Sequence, residues 1–360
     1  MTGAAVRALP WRPLVAATVA GTALCLVLML ANLSSTRDTF GGLVVAQPDA
    51  LAAPVLRAEL GDDAVGPGGH DSAYFYVVAR DPFDLDQAAT GLDAPVYRLQ
   101  RIGFPLAAWL LHPVGGGDGL VLAMAVVGVI AVAGLCLSTG ALSATFGGSP
   151  LVAVVPGILP GAWMGLRISA GDTAALALAM AALACDGRGR TRWALGLGVA
   201  AVLTRETAVL VLLGWLLSRR DRPALRLAVV PAVVAAAWYL VLRATVPVGV
   251  NSAGTLAAPG VGLWESARQW AAGVERGGAV IVALTGVLVV VALVRGGWRH
   301  PLAGVVVTQL ALLTIVAADV IGPERNASRT TLPLAVAAVV MVATPRARVA
   351  VSGLFDRSRR

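Results

Sequence analysis

The chain has 360 residues, of which 58% are hydrophobic and 13% are charged, and its mean hydropathy is +0.79. This composition excludes a soluble globular protein, because several apolar runs approach the roughly 20 residues that cross a bilayer. The net charge of +8 comes from arginine without any lysine, and the arginines form short clusters beside apolar runs. Such clusters are typical of membrane orientation signals and exclude a nucleic-acid partner.

The composition also indicates a source and a fold class. A chain rich in Ala, Val, Leu and Gly, with arginine as its basic residue, is typical of a bacterial genome of high GC content. We therefore expect a multi-pass protein of the bacterial plasma membrane. The length predicts one integral membrane domain over 1–360, an all-α bundle of about nine or ten transmembrane or re-entrant helices.

The N-terminal apolar run, 14–31, is longer than the core of a signal peptide and predicts an uncleaved first transmembrane helix. Arginine clusters mark the cytoplasmic side, so both termini and the tail 345–360 are predicted to be cytoplasmic. The segment 32–113 is then a large extracytoplasmic loop. Its part 32–101 contains half of all the acidic residues of the chain. Within it, 102–111 is too short to span and predicts an interfacial helix.

The remaining transmembrane helices are predicted within 119–344. The single passes are 119–143, 149–167, 171–185, 225–245, 278–294, 301–321 and 331–344. The run 193–217 has arginine clusters on both sides, which one straight pass would place on opposite faces of the membrane. A broken hairpin that turns at Arg205-Glu206 keeps both clusters inside, and broken helices at membrane depth line cavities or are buried in protein.

Asp71 is the first candidate for chemistry. It follows a glycine-rich turn and precedes a predicted helix over 72–80, where it fits either an N-cap or a general base. Tyr74 and Tyr76, just inside the helix, would seat the carboxylate at the membrane surface. An acceptor hydroxyl would meet a lipid-linked donor there.

Arg98 and Arg101 lie three residues apart at the start of the interfacial stretch, with Tyr97 beside them. They fit either snorkelling anchors or a pair of guanidinium groups that binds a lipid phosphate. Arg205 and Glu206 interrupt an apolar run, where ionisable groups are costly and are candidates for function. A structural salt bridge between those two is the alternative.

Three further charged residues lie near the predicted outer ends of helices. Asp172 opens its helix and fits an N-cap. Arg325 and Arg329 precede the final pass, in a predicted outer loop, against the tendency of arginine to lie inside. They indicate an anionic partner, although Glu324 is a candidate ion-pair partner for either.

Together, the segments 70–76, 97–105 and 203–207 resemble bacterial GT-C-type membrane glycosyltransferases, in particular members implicated in cell-surface glycopolymer formation. The resemblance implies a GT-C-like bundle, a polyprenyl-phosphate-linked sugar donor and inverting transfer at the outer face. By the same analogy, Asp71 is the base or a metal ligand, and Arg205 contacts the lipid phosphate. Ala73 departs from the polar residue expected two positions after the aspartate.

The predicted function is therefore transfer of a sugar from polyprenyl phosphate to a cell-envelope glycan or lipid acceptor. Membrane lipids are further partners of such a protein. A divalent metal ion could share the phosphate, although no ligand cluster in the sequence requires one. Two alternatives stay open: a transporter or flippase of lipid-linked sugars, which should contain an inverted repeat, and a non-catalytic assembly protein, which Ala73 favours.

Overall fold

The chain folds as an all-α membrane protein. A computed structural model describes residues 9–36, 40–246 and 255–345. Those residues form 18 α-helices and short 3-10 turns; two isolated β-bridges, Ala46–Val65 and Leu256–Val316, take the place of strands in the described part. The predicted tail beyond 345 lies outside the described residues.

The helices fall into three groups along the chain. The first helix and the loop that follows it contain α1 Trp11–Thr36, α2 Ala53–Leu60, α3 Ser72–Arg80, α4 Leu85–Thr90, α5 Pro95–Leu99 and α6 Gly103–Leu111. The middle group is α7 Gly117–Thr145, α8 Val155–Ile158, α9 Pro160–Arg167, α10 Asp172–Asp186, α11 Thr191–Thr204, α12 Ala208–Arg219 and α13 Arg222–Thr245. The last group is α14 Val261–Ala271, α15 Arg276–Gly296, α16 Ala303–Ile315, α17 Ala318–Ile321 and α18 Glu324–Ala343.

Five helices in the described part are long and apolar enough to cross a bilayer: α1, α7, α13, α15 and α18. The predicted pass 149–167 is bent by 56° between its two halves, and it brings the number to six if it counts as one span. The predicted pass 171–185 corresponds to α10, whose 15 residues extend about 22 Å, short of the roughly 30 Å hydrocarbon core. The predicted pass 301–321 is not one helix, because α16 ends at Ile315 and extended backbone at Val316 separates it from α17.

The predicted break in 193–217 is present. Helix α11 ends at Thr204, Arg205 is extended, and α12 begins at Ala208. The two helices fold back on each other, since a Cβ at Gly198 would lie 3.5 Å from Cδ1 of Leu212. Both outer ends of the hairpin therefore lie at the same end of the bundle.

Contacts between distant helices define two ends of the bundle. At one end, Nε1 of Trp215 donates to Asp186 over 2.8 Å, and the backbone N–H of Gly304 donates to Oγ of Ser218 over 2.8 Å. The end of α10, the end of α12 and the start of α16 thus lie together. The break at Arg205 lies at the other end, with the loop that precedes α7.

The loop before α7 packs against the membrane helices, chiefly α1 and α7, around a shared apolar core. Tyr76, Leu99 and Phe104 are fully buried, and they belong to one apolar cluster with Leu120 and Met124 of α7. Helix α6 has nine residues, and its end exposes Leu110 and Leu111. Its short length and apolar exposed end fit the interfacial position predicted for 102–111.

Candidate functional site: an arginine–carboxylate cluster above an apolar cavity

Asp71 stands immediately before α3, where an N-cap was predicted, but its side chain accepts no hydrogen bond from the helix. Its backbone is itself helical, with φ −56° and ψ −22°, so the carboxylate is not aimed at the free N–H groups. One oxygen instead accepts from Nη1 of Arg98 at 2.8 Å, and the other lies 3.5 Å from Nη2 of Arg329. The structure therefore excludes the N-cap alternative, and the carboxylate belongs to an ion-pair cluster.

The electrostatic surroundings favour the charged form of Asp71. Burial alone would raise the pKa of this carboxyl, but the positive charges of Arg329, Arg98, Arg101 and Arg205 lower the pKa well below its usual range. The side chain keeps 30% of its surface exposed. The group is thus ionised and accessible from the cavity.

Arg98 is held rigidly by groups of the same loop. Its Nε and Nη2 donate to the two oxygens of Asp93, both at 2.9 Å, and its guanidinium lies 4.0 Å from the ring centre of Tyr74. This bidentate, stacked arrangement leaves Nη1 for Asp71. Asp93 was missed in the sequence, where it looks like any other acidic loop residue.

The sequence predicted that Arg98 and Arg101 lie on one helix face and bind a phosphate together. In the structure, Arg101 instead binds a different carboxylate from Arg98. Its Nε and Nη2 donate to Glu206 at 2.9 and 2.6 Å, and Nη2 also contacts the hydroxyl of Tyr97 at 2.5 Å. The tyrosine ring centre lies 4.2 Å from the guanidinium. Because only 3% of Arg101 is exposed, this pair is a buried link between the loop and the hairpin break, not a snorkelling anchor.

Asp172 holds two arginines from different helices. It forms ion pairs with Arg205 through one oxygen and with Arg329 through the other, where Nε of Arg329 donates over 2.6 Å. Asp172 is the first residue of α10, and its side chain caps nothing, so the N-cap prediction is wrong here too. The alternative of a salt bridge between Arg205 and Glu206 is not found, since Arg205 pairs with Asp172 and Glu206 with Arg101.

Arg325 and Arg329 lie inside a helix and not in an outer loop. Helix α18 begins at Glu324, seven residues before the predicted pass, and places these arginines four residues apart in its first turns. Arg329 joins the cluster, whereas Arg325 does not line the cavity and pairs with no carboxylate of the described residues, Glu324 included. Arg325 is therefore separated from the arginines it was grouped with.

The predicted surface position of the aromatic residues on α3 is partly wrong. Tyr76 is fully buried, and its hydroxyl donates to Glu59 over 2.7 Å, away from the cluster. Phe75 is buried against Phe104, with ring centres 5.7 Å apart. Tyr74 alone contacts the site, through its ring beneath Arg98.

A cavity of about 590 Å³ opens below these charges. Its outer layer contains the charged residues, and its inner layer is apolar, because each contributing helix places small or aliphatic side chains one turn further in. These inner residues are Ala175 and Leu176 of α10, Val209, Leu210 and Val211 of α12, Leu312 of α16, and Leu332 and Pro333 of α18. The volume lies within the roughly 300–1,000 Å³ of small-molecule sites.

One polar side chain lies in the apolar layer and was missed in the sequence. Gln309 of α16 lines the cavity and is 3% exposed. The sequence gives a weak indication of it, because Gln309 is the sole strongly polar residue of the helical run 303–313. Burial of an amide in apolar surroundings costs free energy.

No group of three or more metal-ligating side chains occurs within the described residues, so the divalent ion stays a prediction. Comparison of the chain with known protein families, with curated proteins and with solved structures gave no match. The resemblance to GT-C glycosyltransferases therefore also stays a prediction, and any functional argument depends on the geometry of the cluster and cavity.

Proposed function

We propose that the protein is a membrane glycosyltransferase, which transfers a sugar from a polyprenyl phosphate to a cell-envelope glycan or lipid acceptor. The observation that carries this proposal is the cluster of four arginines, Arg98, Arg101, Arg205 and Arg329, directly above an apolar cavity. A ligand that fits has an anionic group next to an apolar one. A lipid phosphate has this chemistry.

Among the four arginines, Arg205 and Arg329 are the best candidates to bind the phosphate. These two guanidinium groups share one carboxylate, Asp172, whereas Arg98 and Arg101 each have a bidentate carboxylate partner of their own. Arg329 also lies 3.5 Å from Asp71, but two guanidinium groups offer more N–H donors than these carboxylates accept, so donors remain for phosphate oxygens. Asp172 acts as a positioning residue that holds them together.

In the proposed reaction, the acceptor oxygen forms a bond to the anomeric carbon as the bond from that carbon to the phosphate oxygen breaks. The leaving group is polyprenyl phosphate, which gains a negative charge, and Arg205 and Arg329 stabilise that charge as it develops. The acceptor proton passes to the carboxylate of Asp71. A phosphate on Arg329 would compete with Asp71 for its charge, so donor binding would raise the pKa of Asp71 towards the range of a useful base.

The proposed location is the bacterial plasma membrane, with both termini in the cytoplasm and the loop before α7 outside. This orientation depends on the arginine clusters at the opposite end of the bundle from Arg205. A polyprenyl-linked donor in the outer leaflet would enter the cavity from the membrane.

The test measures release of polyprenyl phosphate from polyprenyl-phosphate-linked pentose and hexose donors, with the purified protein in lipid nanodiscs and a cell-wall glycan extract as acceptor. The donor that the wild type uses is then taken for the variants. Arg329→Gln should lower the rate by about 10²-fold or more, since it removes a donor to the developing charge. Arg57→Gln is the matched control, because this loop arginine is 51% exposed and pairs with an exposed aspartate away from the cavity. Equal rates in wild type and Arg329→Gln would contradict the proposal.

A non-catalytic protein that binds lipid-linked sugars is the second candidate. The strongly ionised state of Asp71 favours it, because a carboxylate with a low pKa is a weak base. The two candidates differ in one result: a binding protein retains the lipid-linked sugar without releasing polyprenyl phosphate, even when acceptor is present.

A further inference from the structure

The deep end of the cavity is closed, unlike its outer end. Val211 and Leu332 are each 2% exposed and Leu176 is 4% exposed, so buried side chains surround the inner layer. At the outer end, by contrast, lining residue Leu256 is 61% exposed and its backbone pairs with Val316. Among the described apolar residues of the lining, Leu256 is the exposed one, so a long hydrocarbon chain can leave the cavity beside it.

Gln309 lies at this closed end. Helix α16 runs antiparallel to α12, and Oγ1 of Thr308 donates to the backbone oxygen of Leu210 over 2.8 Å, which fixes the level of Gln309 in the first turn of α12. Gln309 precedes the end of α16 by six residues, about 9 Å along the axis. It is therefore inside the apolar layer, below the arginines.

The amide of Gln309 differs from other unpaired buried polar groups because it lines the cavity. It hydrogen-bonds none of the residues that the structure describes, although it is 97% buried as a residue and lines the cavity. The buried hydroxyl of Thr308, one residue earlier, does find a backbone acceptor. An unpaired amide aimed into a cavity costs free energy unless a ligand or water pairs with it.

We propose that the closed end of the cavity is the subsite for the sugar ring of the donor, and that Gln309 is its hydrogen-bonding, specificity-determining residue. The end is too enclosed for a polyprenyl chain, and an amide pairs with a sugar hydroxyl but not with hydrocarbon. The surrounding aliphatic side chains pack against the C–H groups of the ring. The phosphate stays on Arg205 and Arg329, the anomeric carbon stays at the level of Asp71, where the acceptor enters, and only the far side of the ring reaches Gln309. The polyprenyl chain leaves past Leu256. This inference rests on the proposed function, because it assumes a lipid-phosphate donor.

The test compares the affinity of three probes for the protein in detergent micelles: farnesyl phosphate, and farnesyl phosphate that carries one pentose or one hexose. Wild-type protein should bind at least one glycosylated probe more tightly than the bare one. Gln309→Met, which keeps the length of the side chain and removes its amide, should weaken that probe roughly 3- to 10-fold and leave bare farnesyl phosphate unchanged. Leu310→Met is the matched control, because the neighbouring leucine does not line the cavity.

Each other outcome has a definite meaning. If wild-type protein binds bare and glycosylated probes equally, or if Gln309→Met weakens both alike or neither, the sugar subsite is overturned while lipid-phosphate binding stands. If wild-type protein binds no probe, the proposed function itself fails. Gln309→Asn is a second variant for the same binding measurement. Its shorter side chain moves the amide away from the sugar ring, so this variant should also bind the glycosylated probe more weakly and bare farnesyl phosphate unchanged.

Discussion

At the scale of single residues, the site is a set of charges that satisfy one another until a ligand arrives. A buried guanidinium costs several kcal/mol unless it is paired, and each cluster arginine has a carboxylate partner. Asp71 and Asp172 share Arg329, so an incoming phosphate must exchange with carboxylates that already hold it. Binding should therefore weaken when salt competes for the same guanidinium groups.

Substitutions of Asp71 test whether its carboxylate takes part in sugar transfer or only stabilises α3. Because its side chain caps nothing, Asp71→Asn and Asp71→Ala should lower thermal stability to a similar extent, since both remove the same charge beside Arg98 and Arg329. Both should lower sugar transfer on the order of 10²-fold by loss of the base. Transfer of labelled sugar and thermal unfolding of the same preparations check this. An alanine variant that unfolds earlier while asparagine transfers at the wild-type rate would restore the cap interpretation.

At the scale of elements, the hairpin and α16 are joined by glycines that let the backbones approach closely. A Cβ at Gly214 of α12 would overlap Val305 and lie 2.7 Å from the carbonyl oxygen of Gly304. Small residues at such contacts are a usual means of helix packing in membranes. The contact positions Gln309 and the hairpin break against one another.

Gly214→Ala should destabilise the protein by about 1–3 kcal/mol, since the added methyl group forces α12 and α16 apart. Gly196→Ala is the matched control: it lies in α11 with open space around it, so alanine should be neutral or stabilise the helix by roughly 0.5–1 kcal/mol. Thermal unfolding in detergent measures both. Equal shifts for the two variants would mean that the close contact does not limit stability.

At the scale of the whole molecule, the site is assembled from four distant parts of the chain. Asp71 and Arg98 come from the loop, Asp172 from α10, Arg205 from the hairpin and Arg329 from α18. They meet at one end of the bundle, and the arginine clusters beside α10, α11 and α12 lie at the other. The positive-inside tendency therefore predicts that the site lies outside the cytoplasm, across the membrane from those clusters.

Labelling with a membrane-impermeant thiol reagent tests this orientation. Ser72 is fully buried, so the exposed Gln87 of α4 is a better position for a cysteine on the site side, and the exposed Arg190 serves on the opposite side. In a Cys185→Ser background, whose other two cysteines are buried, Gln87→Cys should react in intact cells and Arg190→Cys only after lysis. The reverse pattern would invert the topology.

The sequence by itself determined the membrane class, the long loop between the first helix and α7, and the break at Arg205. These features depend on local composition: apolar runs form helices in a bilayer, and paired arginine clusters exclude a straight pass. The sequence was less reliable for helix limits, as at 301–321 and before Arg325, because a polar first turn of a helix looks like a loop until its packing is known.

The tertiary structure alone decided which charges pair. The partners of Arg101 and Arg329 are Glu206 and Asp172, 105 and 157 residues away in the chain. Asp71 and Asp172 both fit N-caps locally, yet long-range charge outweighs a hydrogen bond to a helix end, since a buried ion must be neutralised. The roles of Asp93 and Gln309 are also visible only in the tertiary structure. Asp93 anchors Arg98, and Gln309 lines a cavity that several distant segments form together.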